Sequence, residues 1–288
     1  MGHLHDRMKE DLVLAGKAES TQKKYLYNCR FFAAYHMRSP EEMGREEVRD
    51  FLLYLLRERG VADGTYTNYV CALKFLYKVT LRRPEVMEAI PWRPHKRKKP
   101  PVLTVDEVRR ILGAAPSIFF SALFKTAYAA GLRGKEVCSL RVSDIDSRST
   151  LIRVRNGKGG KPRTTMLSPA LLRELRTYWR AVRPPGPWLF PTRIGGTRRF
   201  ADKPITRHTA STVFRQTRQR VGIDKPVALH ALRHAFATHL LESGVDVHVI
   251  QTLLGHSRVG TTTQYTRVRT DLIRKTPSPL DLMEQQRP

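Results

Sequence analysis

Apolar side chains recur at helical spacing along most of the chain. Tyr25, Phe31, Phe32 and Tyr35 follow Ser20-Thr21, a pair suited to cap a helix. Val48, Phe51, Leu52, Leu55 and Leu56 follow Ser39-Pro40-Glu41-Glu42, which has the spacing of a capping box. Asp63-Gly64-Thr65 interrupts the periodicity, and a further helix carries Tyr69, Leu73, Leu76 and Tyr77. Residues 1–92 therefore read as a small all-helical domain. Its aromatic stripe falls at helical spacing and reads as core, not as a platform for stacking bases.

Residues 93–101 run Arg-Pro-His-Lys-Arg-Lys-Lys-Pro-Pro. Proline fixes φ and lacks an N–H, so this stretch predicts a stiff, extended linker. A second domain, residues 102–288, opens with another capping-box pattern, Thr104-Val105-Asp106-Glu107, leading a helix through Ile111 and Leu112. Residues 118–132 predict a mostly buried helix ending at Gly131. Leu151-Ile152-Arg153-Val154-Arg155 alternates with period two. Asn156-Gly157-Lys158-Gly159-Gly160 and then Thr164-Thr165-Met166-Leu167 follow, which predicts a β-hairpin with Lys158 in its turn. Leu232, Phe236 and Leu240 place Leu229–Leu241 on an amphipathic helix. Asp246 and Gly255 bracket another, with Val249, Ile250, Leu253 and Leu254 as its buried face. The remainder reads as mostly helical up to a proline-rich tail near residue 277, with no internal repeat. The expected fold class is mainly α with a small β-hairpin or sheet in the second domain.

Composition narrows the partners. A length of 288 residues suits one large domain or two ordinary ones, and a hydrophobic fraction of 41% supports packed cores. Lys and Arg number 52 against 26 for Asp and Glu, a net charge of +26, which points to a polyanionic partner. Ribosomal or chromatin packaging would explain the charge as well. A membrane is disfavoured, because no basic amphipathic helix stands out and no apolar run is long enough to span a bilayer. Met1 to Lys9 is polar, without an apolar signal region. Cys29, Cys71 and Cys138 are far apart, each in an apolar, helix-like context, so buried reduced thiols and a reducing cytoplasm are expected. The linker cations Arg93, Lys96, Arg97, Lys98 and Lys99 read either as a solvated hinge or as a DNA-contacting one. The second reading is preferred, since the run lies between two basic domains.

Candidate chemistry concentrates between Leu229 and Thr266. His230 and Arg233 are three apart and share a helix face; the alternative is a helix with polar positions scattered on its wet side. His256 directly follows Gly255, in the turn after a helix. Tyr265 stands in Thr261-Thr262-Thr263-Gln264-Tyr265-Thr266, where a core tyrosine would find few apolar neighbours. Far upstream, Arg133 sits in Gly131-Leu132-Arg133-Gly134-Lys135-Glu136. Arginine grips phosphate with a planar fork, and a tyrosine hydroxyl can carry a phosphoryl group covalently. On so basic a chain these residues point to phosphodiester chemistry. His230 and His234, four apart, also have the spacing to share a zinc ion. No Cys or acidic residue at ligand spacing completes that set, and Arg233 would set a positive charge beside the ion.

On these residues the chain resembles the tyrosine recombinases of the phage-integrase family. The family's arginine in a Gly-Leu-Arg-x-x-Glu context is matched by Arg133 with Glu136. Its lysine in a Gly-Lys-Gly hairpin turn is matched by Lys158, and its His-x-x-Arg by His230 and Arg233. Its Leu-Gly-His is matched by Leu254-Gly255-His256, and the tyrosine that follows by Tyr265. All occur in the family's order. Ala235 departs from the pattern where relatives often carry a hydroxyl, with no loss of chemistry expected.

The resemblance implies a SAM-like helical core-binding domain in residues 1–92, matched in length and pattern, and an α+β catalytic domain over 102–288. It implies Tyr265 as nucleophile, His230 as its base, and Arg133, Arg233 and His256 on the non-bridging phosphate oxygens. Lys158 would be the general acid, and Glu136 structural, orienting Arg133 or capping a turn. The implied partner is double-stranded DNA with paired recombination sites, bound by a homotetramer. Strands would be cut and rejoined through a 3′-phosphotyrosine and a Holliday junction, with no cofactor, metal or ATP. The implied settings range from phage integration and transposon movement to cassette capture and chromosome-dimer resolution. Two alternatives stand beside this: strand relaxation like that of a type IB topoisomerase, and a non-catalytic basic DNA-binding protein. The helical first domain and short spacing disfavour the former, and the presence of all six residues the latter. Asp271 to Pro288 is the expected exchange element, docking on a neighbouring protomer through Leu272, Ile273, Leu280, Leu282 and Met283; the alternative is a terminus without fixed structure.

Overall fold

A computed structural model describes residues 2–88, 90–91, 101–155, 162–195, 199–255 and 276–285. The chain divides into two compact units, residues 1–99 and 100–288.

The first unit is helical: α1 (Gly2–Leu14), α2 (Glu19–His36), α3 (Arg45–Arg57), α4 (Asp63–Phe75) and α5 (Glu85–Glu88). Leu4, Met8 and Leu12 recur every four residues and seat α1 on a core that holds Phe32, Phe51, Leu55, Leu73 and Tyr77. Three local expectations are corrected. Ser20-Thr21 lie inside α2, which follows Ala18 and has no side-chain cap. Ser39 heads only a 3-10 turn, Pro40–Glu42, and its hydroxyl donates to Glu41 Oε2. Fully buried Met43 takes an extended backbone to enter the core, so α3 cannot begin until Gly44, whose N–H donates to Glu47 Oε2 at 2.8 Å. Asp63-Gly64-Thr65 is not a break but the first turn of α4, where an acidic residue favours the positive end of the helix dipole.

The second unit contains α6 (Val105–Gly113), α7 (Ile118–Ala129), α8 (Gly134–Cys138), β1 (Ile145–Asp146), β2 (Leu151–Val154), β3 (Arg163–Met166) and α9 (Pro169–Val182). It continues with β4 (Pro191–Arg193), β5 (Phe200–Pro204), α10 (Arg207–Arg220), α11 (Ala231–Glu242), α12 (Val247–Leu254) and α13 (Pro279–Gln285). The capping box of α6 forms as its sequence predicts: Thr104 Oγ1 accepts from the Glu107 N–H, and Glu107 Oε2 accepts from the Thr104 N–H at 2.8 Å. Helix α7 is apolar on nearly every side and lies at the centre, with α6, α8, α9, α10, α11 and α13 packed on it. It stops at Ala129, short of the expected 132. At Gly131 the backbone turns left-handed, φ +59°, and an added Cβ would lie 2.6 Å from Phe236 Cδ1. Only glycine fits that approach, and the turn launches Leu132-Arg133 out of the core.

Strands β1, β2 and β3 form an antiparallel sheet in that order, with Leu151 opposite Met166 and Val154 opposite Arg163. The hairpin expected from the alternating pattern is present in both strands; its turn, with Lys158, lies outside the described residues. The stretch after this point is mostly helical, as expected, but it also holds a second hairpin that the sequence reading did not include, β4 with β5, pairing Pro191 with Pro204. Its strands are short and end in prolines, so neither shows a period of two.

In the single chain, Leu280 and Met283 of the tail helix α13 are buried against α7, α9 and α11 of the same unit. Ser278 Oγ donates to the Ala129 carbonyl at 3.1 Å, Asp281 Oδ1 accepts from the Ala170 N–H at 3.1 Å, and Arg173 pairs with Glu284. Leu272 and Ile273 lie outside the described residues. Cys29 and Cys138 are buried and Cys71 is partly so. Among the described residues no helix is long and apolar enough to cross a membrane.

Candidate active site

The site begins at the end of α7. After Gly131 the chain extends through Arg133, the N-cap residue of the short helix α8. Glu136 sits three residues on and closes a capping box from its side chain: Oε2 accepts from the Arg133 N–H at 2.8 Å. The same carboxylate accepts from Arg133 Nη1 through Oε1 at 2.7 Å. Glu136 therefore does both things expected of it, capping the turn and orienting Arg133.

Arg233 reaches the same place from α11. It lies in the first turn of that helix and is buried, not on a wet face. Its Nη1 donates to the Gly131 carbonyl at 2.8 Å and its Nη2 to the Leu254 carbonyl at 2.6 Å. These bonds join the exit of α7 to the end of α12. Arg233 Nη1 stands 3.8 Å from Glu136 Oε2, within ion-pair range. Two arginines separated by a hundred residues of chain thus flank one carboxylate.

A third guanidinium completes the cluster. Arg163, at the start of β3, pairs with Glu136 fork to fork, Nη1 to Oε1 at 2.7 Å and Nη2 to Oε2 at 2.8 Å. Its Nε donates to the Leu253 carbonyl at 3.3 Å. The Glu136 side chain is only 3% exposed. Burial pushes its carboxyl up, but Arg163 and then Arg133 outweigh that and hold it down at about 2. For Arg233, burial and then the charges of Arg133 and Arg163 push the pKa downward, while Glu136 opposes them. A guanidinium stays a cation through such pressure.

His230 occupies the N-cap position of α11, at the solvent-exposed edge of the cluster. Its ring meets that of His234 edge to face, with centroids 4.9 Å apart. Partial burial of the imidazole, then the charges of His234, Arg233 and Arg133, press its pKa down to about 4. At neutral pH it is an uncharged proton acceptor beside two cations. His239 is a packing residue: its Nδ1 lies 2.8 Å from the Tyr128 hydroxyl and its Nε2 2.9 Å from the Leu103 carbonyl. Among the described residues no three His, Cys, Asp or Glu side chains could hold a metal ion.

Residues 101–271 match the phage integrase family, and residues 4–85 match the N-terminal SAM-like domain of phage integrases. The chain belongs to the phage integrase family. By that membership it is a tyrosine-type recombinase. Among curated relatives, the putative integrase/recombinase y4qK of Sinorhizobium fredii is 40% identical, covering 100% of this chain and 92% of the relative. The tyrosine recombinase XerA of Pyrococcus horikoshii is 32% identical, covering 95% of this chain and 92% of the relative. A crystal structure of a lambda integrase tetramer bound to a Holliday junction shares the fold, with a TM-score of 0.71 at 20% identity, over 91% of this chain and 80% of that one.

Of the residues singled out in this recombinase, Arg133, His230 and Arg233 are brought together. Lys158, His256 and Tyr265 lie outside the described residues, as do Arg93, Lys96, Arg97, Lys98 and Lys99. Their places in sequence are still informative: Lys158 falls between β2 and β3, and His256 directly follows Gly255, which ends α12 at φ +65°. Helix α12 is capped as its sequence predicts, with Asp246 Oδ1 accepting from the His248 N–H at 2.7 Å.

Arg163 and Arg207 escape the sequence reading. Arg207 opens α10 close to Gly134, and its charge acts on His230. One signal for Arg163 was present: it alternates with Thr165, which is fully buried and donates to the Ala130 carbonyl at 3.0 Å. An arginine on the inward face of a strand needs an anion to meet.

Proposed function

We propose that this protein is a site-specific DNA recombinase that cuts and rejoins strands through a covalent 3′-phosphotyrosine. The convergence of Arg133 and Arg233 on Glu136, with neutral His230 alongside, is the observation that carries the reading. Tyr265 supplies the nucleophile. At pH 7 an ordinary phenol is ionised to only about one part in a thousand, so it needs a base. His230 accepts the phenolic proton. The Tyr265 oxygen bonds to phosphorus and the bond from phosphorus to the 5′ oxygen breaks. Lys158 protonates that departing oxygen.

Negative charge grows on the non-bridging oxygens during the attack. Arg133, Arg233 and His256 hold them, and each such preorganised donor is worth about 10²–10³ in rate. The buried position of Arg233 suits this role, because charge interactions strengthen as water is excluded. The phosphotyrosine keeps the energy of the broken phosphodiester. A 5′ hydroxyl from a second strand can then displace Tyr265 without ATP or metal. On this reading two duplexes are exchanged by a homotetramer through a Holliday junction, the assembly seen for lambda integrase. The cations of residues 93–99 grip the phosphate backbone beside the cut.

The test is a suicide substrate, a duplex nicked so that the released 5′ end diffuses away and the adduct accumulates. The wild-type protein should form a DNA adduct stable to denaturant, and Tyr265→Phe should form none while binding the same duplex equally well. Adducts that persist in Tyr265→Phe would sink the assignment.

A further inference from the structure

Glu136 offers two oxygens, with about four lone-pair directions between them. All are met from within the protein. Arg163 takes one on each oxygen through Nη1 and Nη2, Arg133 Nη1 takes a second on Oε1, and the Arg133 N–H takes a second on Oε2. The two arginines are held unequally. Arg163 has a two-pronged grip on the carboxylate, a third bond to the Leu253 carbonyl, and a side chain only 10% exposed. Its Cδ fills the space an added Cβ at Gly255 would need, so it lies directly against the end of α12. Arg133 has one side-chain prong on Glu136, and its side chain is 24% exposed. Among the described residues its Nε and Nη2 have no acceptor.

Carboxylates and guanidiniums prefer the two-pronged pairing. With Arg163 gone, both oxygens of Glu136 are open to Arg133. Its guanidinium then turns inward to take them, and the N–H groups that face outward are lost to a substrate.

We propose that Arg163 is a positioning residue for strand cleavage. By occupying both oxygens of Glu136 it limits Arg133 to a one-pronged hold and leaves the rest of that guanidinium for a non-bridging oxygen of the scissile phosphate. The proposal deepens the function given above and rests on it. The same side chain has a second effect. It fastens β3 to the end of α12 through the Leu253 carbonyl, and Arg233 fastens that end again through the Leu254 carbonyl. The chain segments leading to Lys158 and to His256 are thereby tied to the carboxylate that orients Arg133.

The test compares scissile phosphates that differ in charge. Adduct formation is measured in a single turnover on suicide duplexes carrying either a normal phosphodiester or a methylphosphonate, in which a methyl group replaces one non-bridging oxygen. Both methylphosphonate isomers are used. The enzymes are the wild type, Arg163→Met and Arg163→Lys. Lysine keeps the cation beside Glu136 but cannot fork. On the phosphodiester both variants should slow by about 10²-fold, the loss typical of a misplaced catalytic donor, with duplex affinity unchanged. On the methylphosphonate isomer that lacks the oxygen held by Arg133, the same variants should slow only a few-fold, because that arginine no longer has a charge to meet. A loss of equal size on the phosphodiester and on both isomers means a general structural role and overturns the proposal. So does a wild-type rate in Arg163→Lys, or a lysine variant that no longer folds by thermal melting. If the wild type forms no adduct on any duplex, the proposed function itself fails, a result separate from any loss caused by the variants.

Discussion

A carboxylate sealed from water among guanidiniums stays ionised only while those partners hold it. For Glu136 burial acts upward, but Arg163 and Arg133 bring the carboxyl to about 2 from the ordinary 4.5. A group lowered in this way stabilises the fold fully above its unfolded value and loses that contribution as pH falls through the folded one. The shift corresponds to at most about 3 kcal/mol, lost between about pH 4.5 and 2. In urea denaturation across that window, the wild type should lose about this much more stability than Glu136→Gln; parallel curves would contradict it. His230 has the opposite chemistry. Burial, His234, Arg233 and Arg133 lower it to about 4, so it is already a free base where an ordinary imidazole, at 6.5, is still half protonated. The second-order cleavage rate, which reports the free enzyme, should keep its value down to about pH 5 and fall only near pH 4. An acid limb near 6.5 would show that His230 titrates as an ordinary histidine.

At the scale of elements, the exit of α7 decides where Arg133 points. Gly131→Ala should destabilise the protein by about 2–4 kcal/mol, from the left-handed backbone and the collision with Phe236 together. Gly113→Ala serves as the control, since nothing lies within 4 Å of an added Cβ there. That change should be neutral or slightly stabilising by urea denaturation. Equal effects at the two glycines would mean that Gly131 is not needed for its turn. Legibility in the sequence followed the same division between local and distant causes. The Thr104 capping box, the Asp246 cap with its Gly255 stop, and the strands on either side of Lys158 depend on neighbours within a few residues, and each was readable. Ser39 misled because a buried Met43 overrode a local pattern. Strands β4 and β5 were invisible because each is defined mainly by pairing with the other. Arg133, His230 and Arg233 were legible through the resemblance, as was the part of Glu136 in orienting Arg133, but the approach of Arg233 to the same carboxylate was not. Arg163 was missed because its partners, Glu136 and Leu253, lie 27 and 90 residues away in sequence.

At the scale of the whole molecule, a net charge of +26 is distributed over two units, and the site is assembled in the second from α7, α8, β3, α11 and α12. Helix α13 closes on the same unit in the single chain, where Leu280 and Met283 join the core. Deleting residues 277–288 should therefore strip cover from α7 and α9 and cost about 2–4 kcal/mol, from the burial of Leu280 and Met283. Thermal melting of the truncated protein would show it as a lowered midpoint. An unchanged midpoint would mean the helix contributes nothing to the free chain.

The central claim is a covalent bond between one phenolic oxygen and a DNA 3′ phosphate, made beside Arg133 and Arg233. Its most direct measurement is peptide mapping by mass spectrometry of the adduct trapped on a suicide duplex. The modified peptide should carry its nucleotide on Tyr265, linked through the 3′ phosphate. A nucleotide on any other residue, or a linkage through the 5′ phosphate, would contradict the chemistry assigned to this site.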